Sequence, residues 1–326
     1  MRNGTAYAMI AAAALAAGAA ALAFRGEAAR KPDAARVIAI FKTSSAANAF
    51  WAAVRGGVES GAEDFGMEVE FRAPRDEIYV DEQIEILRGA IAEKPDAIVL
   101  AAGDYRRLID PVREAKAAGI PVVLVDSFIE TEDADAKVGT DNDEAGRKCG
   151  AALLRRVSSG AKVAIMSYVK GSSTAIGRET GLREALGSSV AIAAATYSSS
   201  EEGRAYDQAR ELIDGIPDLA GIAALNLPTS LGAARALEES GKAADIALVG
   251  FDTSLDIVAF IERGIIKDAI AQKPFNMGYL SMKAVRGILS GPRPLAYLNT
   301  GSVDVNQDNM FDPEIQKLLF PVAAER

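Results

Sequence analysis

Asp126 and Asp252 each close a run of apolar β-formers, Val122-Val123-Leu124-Val125-Asp126 and Ala247-Leu248-Val249-Gly250-Phe251-Asp252. A carboxylate at the C-terminal end of a buried parallel strand points into the crevice where open α/β sheets bind ligands. Two such ends, one in each half of the chain, imply a cleft between two lobes with a small polar ligand in it. Other chemistries find little support. The chain contains no histidine, which removes Ser-His-Asp and Cys-His catalysis and histidine metal sites. The single cysteine, Cys149, cannot form an intramolecular disulfide and has no activating base, so it reads as a small buried helix residue. Asp141-Asn142-Asp143 resembles the start of a calcium loop, but the twelfth position is Ala152 instead of glutamate. No glycine loop with Lys and Ser/Thr is present to cradle phosphates. Paired acids across a cleft can hydrolyse glycosides in principle. The expectation is nonetheless a protein with no catalytic residue, no metal and no cofactor.

The elements that must position these aspartates follow from length and pattern. With 326 residues and 49% apolar content, the chain exceeds one ordinary hydrophobic core and has no sign of disorder. The net charge of −9 leaves no basic stripe, so nucleic acid is not an expected partner. Residues 4–24 form an uncharged, alanine-rich stretch followed by the charged segment 25–36. Residues 1–35 therefore read as a signal peptide or membrane anchor, placing the protein in the periplasm or outside the cell. Ala21-Leu22-Ala23 and Gly26-Glu27-Ala28 suit cleavage; Arg25, Arg30 and Lys31 oppose translocation under the positive-inside bias. From Arg36 onward strand and helix alternate with short connections. Strands are expected at 37–41, 68–72, 97–101, 122–125, 162–166, 191–196, 221–225 and 247–251. Helices are expected at 48–65, 81–93, 176–186, 203–215, 230–240 and 254–263, with another opened by Asp110 as cap and Pro111 at its first position.

In this order and spacing the chain resembles the type I periplasmic binding proteins, closest to the ribose-binding branch, which share their core with lactose-repressor-type regulators. The resemblance covers residues 36–305. It rests on Asn48-Ala49-Phe50-Trp51, Ile120-Pro121 running into Asp126, Gly139-Thr140-Asp141-Asn142, Arg178-Glu179-Thr180-Gly181, Asn226 ahead of Leu231-Gly232-Ala233-Ala234-Arg235-Ala236-Leu237, Val249-Gly250-Phe251-Asp252, and Ile270-Ala271-Gln272. It implies an α/β fold of two doubly wound parallel-sheet lobes joined by a three-strand hinge. The N-terminal lobe would comprise 36–140 and 273–301, and the C-terminal lobe 141–272 and 302–326. The chain would cross near Thr140, near 272–273 and near 302–305, and a helix over 274–290 would return to the first lobe. Closure about that hinge would accompany binding.

The residues this places at the cleft suit a sugar. Adjacent hydroxyls call for planar forked groups, which Asp126, Asp252, Arg178, Asn48, Asn226 and Gln272 supply, and C–H faces call for aromatic walls, which Phe50 and Trp51 supply. Each has a plainer reading. The aspartates could cap the following helices or pair with Arg178, Asn48 could be only a cap, the aromatics could be core, and Arg178 could pair with Glu179 or Glu202. Ser127 stands where ribose-type proteins carry an arginine, and the stretch 198–202 replaces an aromatic of the second lobe. Losing a cation and a ring suggests a roomier pocket for a larger sugar, a polyol or cyclitol, or a sugar-like signal. The implied role is an extracytoplasmic substrate-binding protein, acting as a monomer, that delivers its ligand to the membrane permease of an ABC importer. The alternative is a receptor presenting its closed form to a sensor kinase or chemoreceptor. A DNA-binding repressor would carry a basic helix-turn-helix where the alanine-rich leader stands.

Overall fold

The computed structural model describes residues 34–45, 48–291 and 296–319. The leader expectation over residues 4–24 lies outside these. Among the described residues no helix is long and apolar enough to cross a membrane.

The chain builds two sheets. The first is formed by β1 (Ala35–Ile40), β2 (Met67–Arg72), β3 (Ala97–Leu100), β4 (Val122–Val125), β5 (Ala136–Gly139) and β11 (Ala296–Asn299). Their spatial order is β2-β1-β3-β4-β5-β11. The second holds β6 (Lys162–Ser167), β7 (Ala191–Tyr197), β8 (Leu219–Ala224), β9 (Ala247–Phe251), β10 (Ile266–Ala271) and β12 (Val303–Asn306), in the order β7-β6-β8-β9-β10-β12. Both begin with the same doubly wound arrangement, in which the strand order reverses beside the first strand of the lobe. The central strands are buried on both faces, and β3, β4 and β9 are entirely buried. That explains why they read as unbroken apolar runs instead of alternating ones. β12 pairs antiparallel with β10.

The helices are α1 (Ala49–Phe65), α2 (Val80–Ala92), α3 (Ile109–Ala117), α4 (Asn142–Leu154), α5 (Ser173–Leu186), α6 (Glu202–Gly215), α7 (Leu227–Ser240), α8 (Leu255–Glu262), α9 (Pro274–Leu289) and α10 (Pro313–Leu319). Each lobe is braced by a helix pair in backbone contact. In the first, α1 meets α9, where a Cβ on Gly57 would fall 2.0 Å from the Phe275 carbonyl oxygen and one on Gly278 2.0 Å from that of Val54. In the second, α4 meets α5, where a Cβ on Gly146 would fall 2.2 Å from the Arg178 carbonyl oxygen and one on Gly181 2.0 Å from that of Asp143. Only glycine permits these approaches. The helix expected at 274–290 does return to the first lobe. The chain passes from β5 to α4 through Thr140, from β10 to α9 through Gln272 and Lys273, and from β11 to β12 through 300–302.

Some local expectations need correction. Asp110 does not cap α3: the helix starts at Ile109, with Leu108 at the cap position making no side-chain bond. Asp110 and Pro111 instead occupy the first turn, where the helix dipole favours a carboxylate and proline's missing N–H costs nothing. The helices α5 and α7 start three residues earlier than read, at Ser173 and Leu227. Asn226 caps α7 and Pro228 sits in its first turn. The short helix α10 was not anticipated. Asp141 caps α4 by accepting the Glu144 amide, so the calcium-like triplet serves as a helix start. Cys149 is fully buried in α4, and burial pushes its thiol well above the usual range.

Candidate functional site

Both sheets aim their carboxyl ends at one cavity. Asp126, Tyr168, Asp252 and Gln272 each stand one residue beyond a strand, at β4, β6, β9 and β10, while Lys42 and Asn226 stand two beyond β1 and β8. With Asn48, Phe50 and Trp51 from the start of α1, Glu77, and Thr174 and Arg178 from α5, they enclose about 30 Å³. That is room for a couple of waters. The cavity is smaller than the roomier pocket expected, and a cation and a ring not foreseen in the sequence, Lys42 and Tyr168, line it. Lys42 Nζ lies 3.2 Å from Asp126 Oδ2, and Tyr168 supplies an aromatic wall in the second lobe.

The two aspartates hold a left-handed backbone, with φ of 62° at Asp126 and 67° at Asp252. This conformation turns each side chain sharply off its strand, and Asp tolerates it better than most residues. Neither caps the helix that follows it. Asp252 accepts the Leu227 amide at the start of α7 (2.9 Å) and the Gln272 amide (2.5 Å). Burial raises its carboxyl above the usual range, and nearby Arg178 partly offsets the rise. Gln272 Oε1 remains a buried acceptor without a partner among the described residues. Such groups are rare in folded proteins and call for an explanation.

Arg178 sits in the second turn of α5. It forms no ion pair with Glu179 or Glu202, which pair with Arg183 and Arg235. Its guanidinium donates to Asn142 Oδ1 (2.9 Å) and to the Leu225 carbonyl (2.8 Å), and lies 4.6 Å over the Phe251 ring. Asn48 lines the cavity and caps α1, accepting from the amides of Phe50 and Trp51 at 3.1 and 3.3 Å. Asn226 likewise caps α7 and donates to Ser200 Oγ at 3.0 Å. Phe50 and Trp51 both reach the cavity, edge to face with centroids 5.2 Å apart. Ser127 does not reach it. It is fully buried and donates to Asp126 Oδ2 at 2.6 Å, so it props the carboxylate.

The lobes touch at the cavity and beside it. Lys42 Nζ reaches Ser172 Oγ (3.3 Å) and Thr174 Oγ1 (3.5 Å), Ser200 donates to Glu77 Oε2 (3.0 Å), the Phe128 amide to Ser173 Oγ (2.9 Å), and the Tyr105 amide to the Gly171 carbonyl (2.7 Å). Lys42 and Tyr168 escaped the sequence reading although both obey the strand-end rule that singled out the aspartates. Glu77 lies between β2 and α2, and no local pattern marks it.

A family model described as a periplasmic binding protein domain matches residues 38–293. The ribose import binding protein of Bacillus subtilis is 28% identical over 247 residues, covering 76% of this chain and 79% of that relative. Among solved structures, an ABC transporter solute-binding protein from Agrobacterium vitis with bound D-fucose has a TM-score of 0.84 at 30% identity, covering 87% of this chain and 99% of that one. A carbohydrate transporter solute-binding protein from Agrobacterium radiobacter in complex with D-arabinose also has a TM-score of 0.84, at 26% identity and coverages of 88% and 99%.

Proposed function

The chain belongs to the family of periplasmic binding protein domains, and from that premise we propose that it is an extracytoplasmic receptor capturing a sugar or sugar-like polyol between its lobes for an ABC importer. The observation that carries this reading is the convergence of forked polar groups from strand ends of both sheets, walled by Phe50, Trp51 and Tyr168, on one cavity. A ring of hydroxyls offers donors and acceptors all round and apolar C–H faces, and few other small ligands would use every group here. Asn48, Phe50, Trp51, Asp126, Arg178, Asn226, Asp252 and Gln272 contact the ligand in this reading, and Ser127 acts through Asp126. The lobes divide as 36–140 with 273–301 against 141–272 with 302–326, and close about the three crossings. The ligand is bound and released unchanged. A leader over residues 1–35 exports the chain, and a fusion of that segment to a reporter active only outside the cytoplasm is expected to be active.

Native mass spectrometry of freshly purified protein, followed by calorimetry with pentoses, hexoses, cyclitols and amino acids, tests the reading. A retained or titrated polyhydroxylated ligand supports it. Binding only of an amino acid, or turnover of a bound sugar, overturns it.

A further inference from the structure

The charged side chains lining the cavity do not balance. Lys42 and Arg178 face Glu77, Asp126 and Asp252, and all five are buried. Asp126 is neutralised by Lys42 at 3.2 Å. Asp252 takes N–H donors on both oxygens, from Leu227 and Gln272, the arrangement of an ionised carboxylate. Glu77 differs. Its Oε1 accepts from Trp51 Nε1 at 3.1 Å and its Oε2 from Ser200 at 3.0 Å, and no cation lies within ion-pair distance among the described residues. Each carboxylate oxygen can accept a second hydrogen bond, so Glu77 still offers lone pairs to a ligand.

Building on the sugar reading above, we propose that Glu77 is a specificity-determining residue that sets the charge the cleft accepts. A ligand hydroxyl or ammonium group can donate to the unused lone pairs. A sugar carrying a carboxylate would place a further negative charge in a buried site that already holds one carboxylate too many, where water screens poorly. Its own oxygens could not donate to Glu77 either. The surplus carboxylate comes from the loop carrying Glu77, which the strand-end rule does not reach, and the turn carrying Ser200 supplies one of its hydrogen-bond donors. Ser199 and Ser200 both hold a left-handed backbone, with φ of 59° and 61°. Strain of this kind persists where surrounding structure fixes it, often at ligand sites. Here it delivers the Ser200 hydroxyl to Glu77 and to Asn226 Nδ2 together.

The test compares matched ligands of one sugar frame at pH 7 by calorimetry: D-glucose, D-glucosamine and D-glucuronate, and the same set in the galacto series. In the wild-type chain the uronate is expected to bind at least tenfold more weakly than its neutral parent, and the amino sugar no more weakly than it. In Glu77→Gln, which keeps the shape but not the charge, the ratio of neutral to uronate affinity should shrink at least fivefold, whatever happens to the neutral parent. If Glu77→Gln does not melt like the wild type, Glu77→Ala is measured for the same ratio. A wild-type uronate within threefold of its parent, or a ratio unchanged in a folded variant, overturns the assignment and leaves the sugar reading standing. Failure of every neutral sugar in both series, and of the wider panel, removes the sugar reading and this assignment with it.

Discussion

The side chains at the cleft are held in costly states, and their substitution should show it. Asp252 is buried with its carboxyl raised by desolvation. A group whose folded pKa lies above its unfolded value stabilises the fold fully below the unfolded pKa, and that contribution is lost as pH rises through the folded pKa. The ligand-free protein should therefore lose stability as pH climbs out of the ordinary carboxylate range. Asp252→Asn should flatten that decline, as scanning calorimetry across the pH range would register. The same variant, and Arg178→Ala, should weaken ligand binding by about 1.5–3 kcal/mol, roughly ten- to a hundredfold, because each removes a charge-assisted hydrogen bond. Unchanged affinity in both would remove these residues from the site. Lys42 and Asp126 form a buried ion pair, with side chains 3% and 4% exposed. Lys42→Met should cost about 3 kcal/mol of stability by stranding the Asp126 charge, and adding Asp126→Asn should recover most of it. A denaturant-unfolding cycle on the four proteins measures the coupling.

Between elements, the glycines decide how closely the helices stand. A Cβ at Gly278 would lie 2.0 Å from the Val54 carbonyl oxygen, and α1 cannot yield without moving Phe50 and Trp51 from the cavity. Gly278→Ala should lower stability by about 1–3 kcal/mol, as overpacking does, and should weaken ligand binding as well. Gly89 provides the contrast. It is exposed on α2 with nothing within 4 Å of a built Cβ. Gly89→Ala should stabilise by about 0.5–1 kcal/mol through helix propensity alone. Equal melting temperatures for the two variants would mean that the close approach is not what the fold requires. The α4 and α5 contact does similar work in the second lobe, since Gly146 lies against the Arg178 carbonyl and so fixes where the guanidinium starts.

Across the whole molecule the cleft is a meeting of two lobes, and its state should be visible in the only tryptophan. Trp51 is 5% exposed, packs on Phe41 and Phe50, and donates to Glu77, which in turn accepts from Ser200 of the other lobe. Opening would break the Ser200 contact and wet the indole, so a ligand that favours closure should shift Trp51 emission. Tight binding by calorimetry with flat emission would show that Trp51 does not report lobe motion. Ligand should also raise the unfolding free energy, by about 2.7 kcal/mol at a hundred times Kd.

The sequence carried the architecture because buried parallel strands must be apolar and must end where the sheet meets solvent. The runs closed by Asp126 and Asp252, the double set of strands and the returning helix at 274–289 were legible from patterning and from the resemblance. Helix starts were less so, since a first turn accepts Asp110-Pro111 as readily as a cap does. Lys42 and Tyr168 were within reach of the same strand-end rule. Glu77 and Ser200 were not, because they lie in irregular backbone whose path is set by contacts far along the chain. Whether Ser127 faces the ligand turns on the left-handed backbone at Asp126, which sends Ser127 inward. The narrowness of the cavity arises only when the lobes come together, and its charge surplus only when the loop carrying Glu77 folds beside Lys42 and Asp126, since local sequence constrains neighbours along the chain and not which distant side chains share a low-dielectric space.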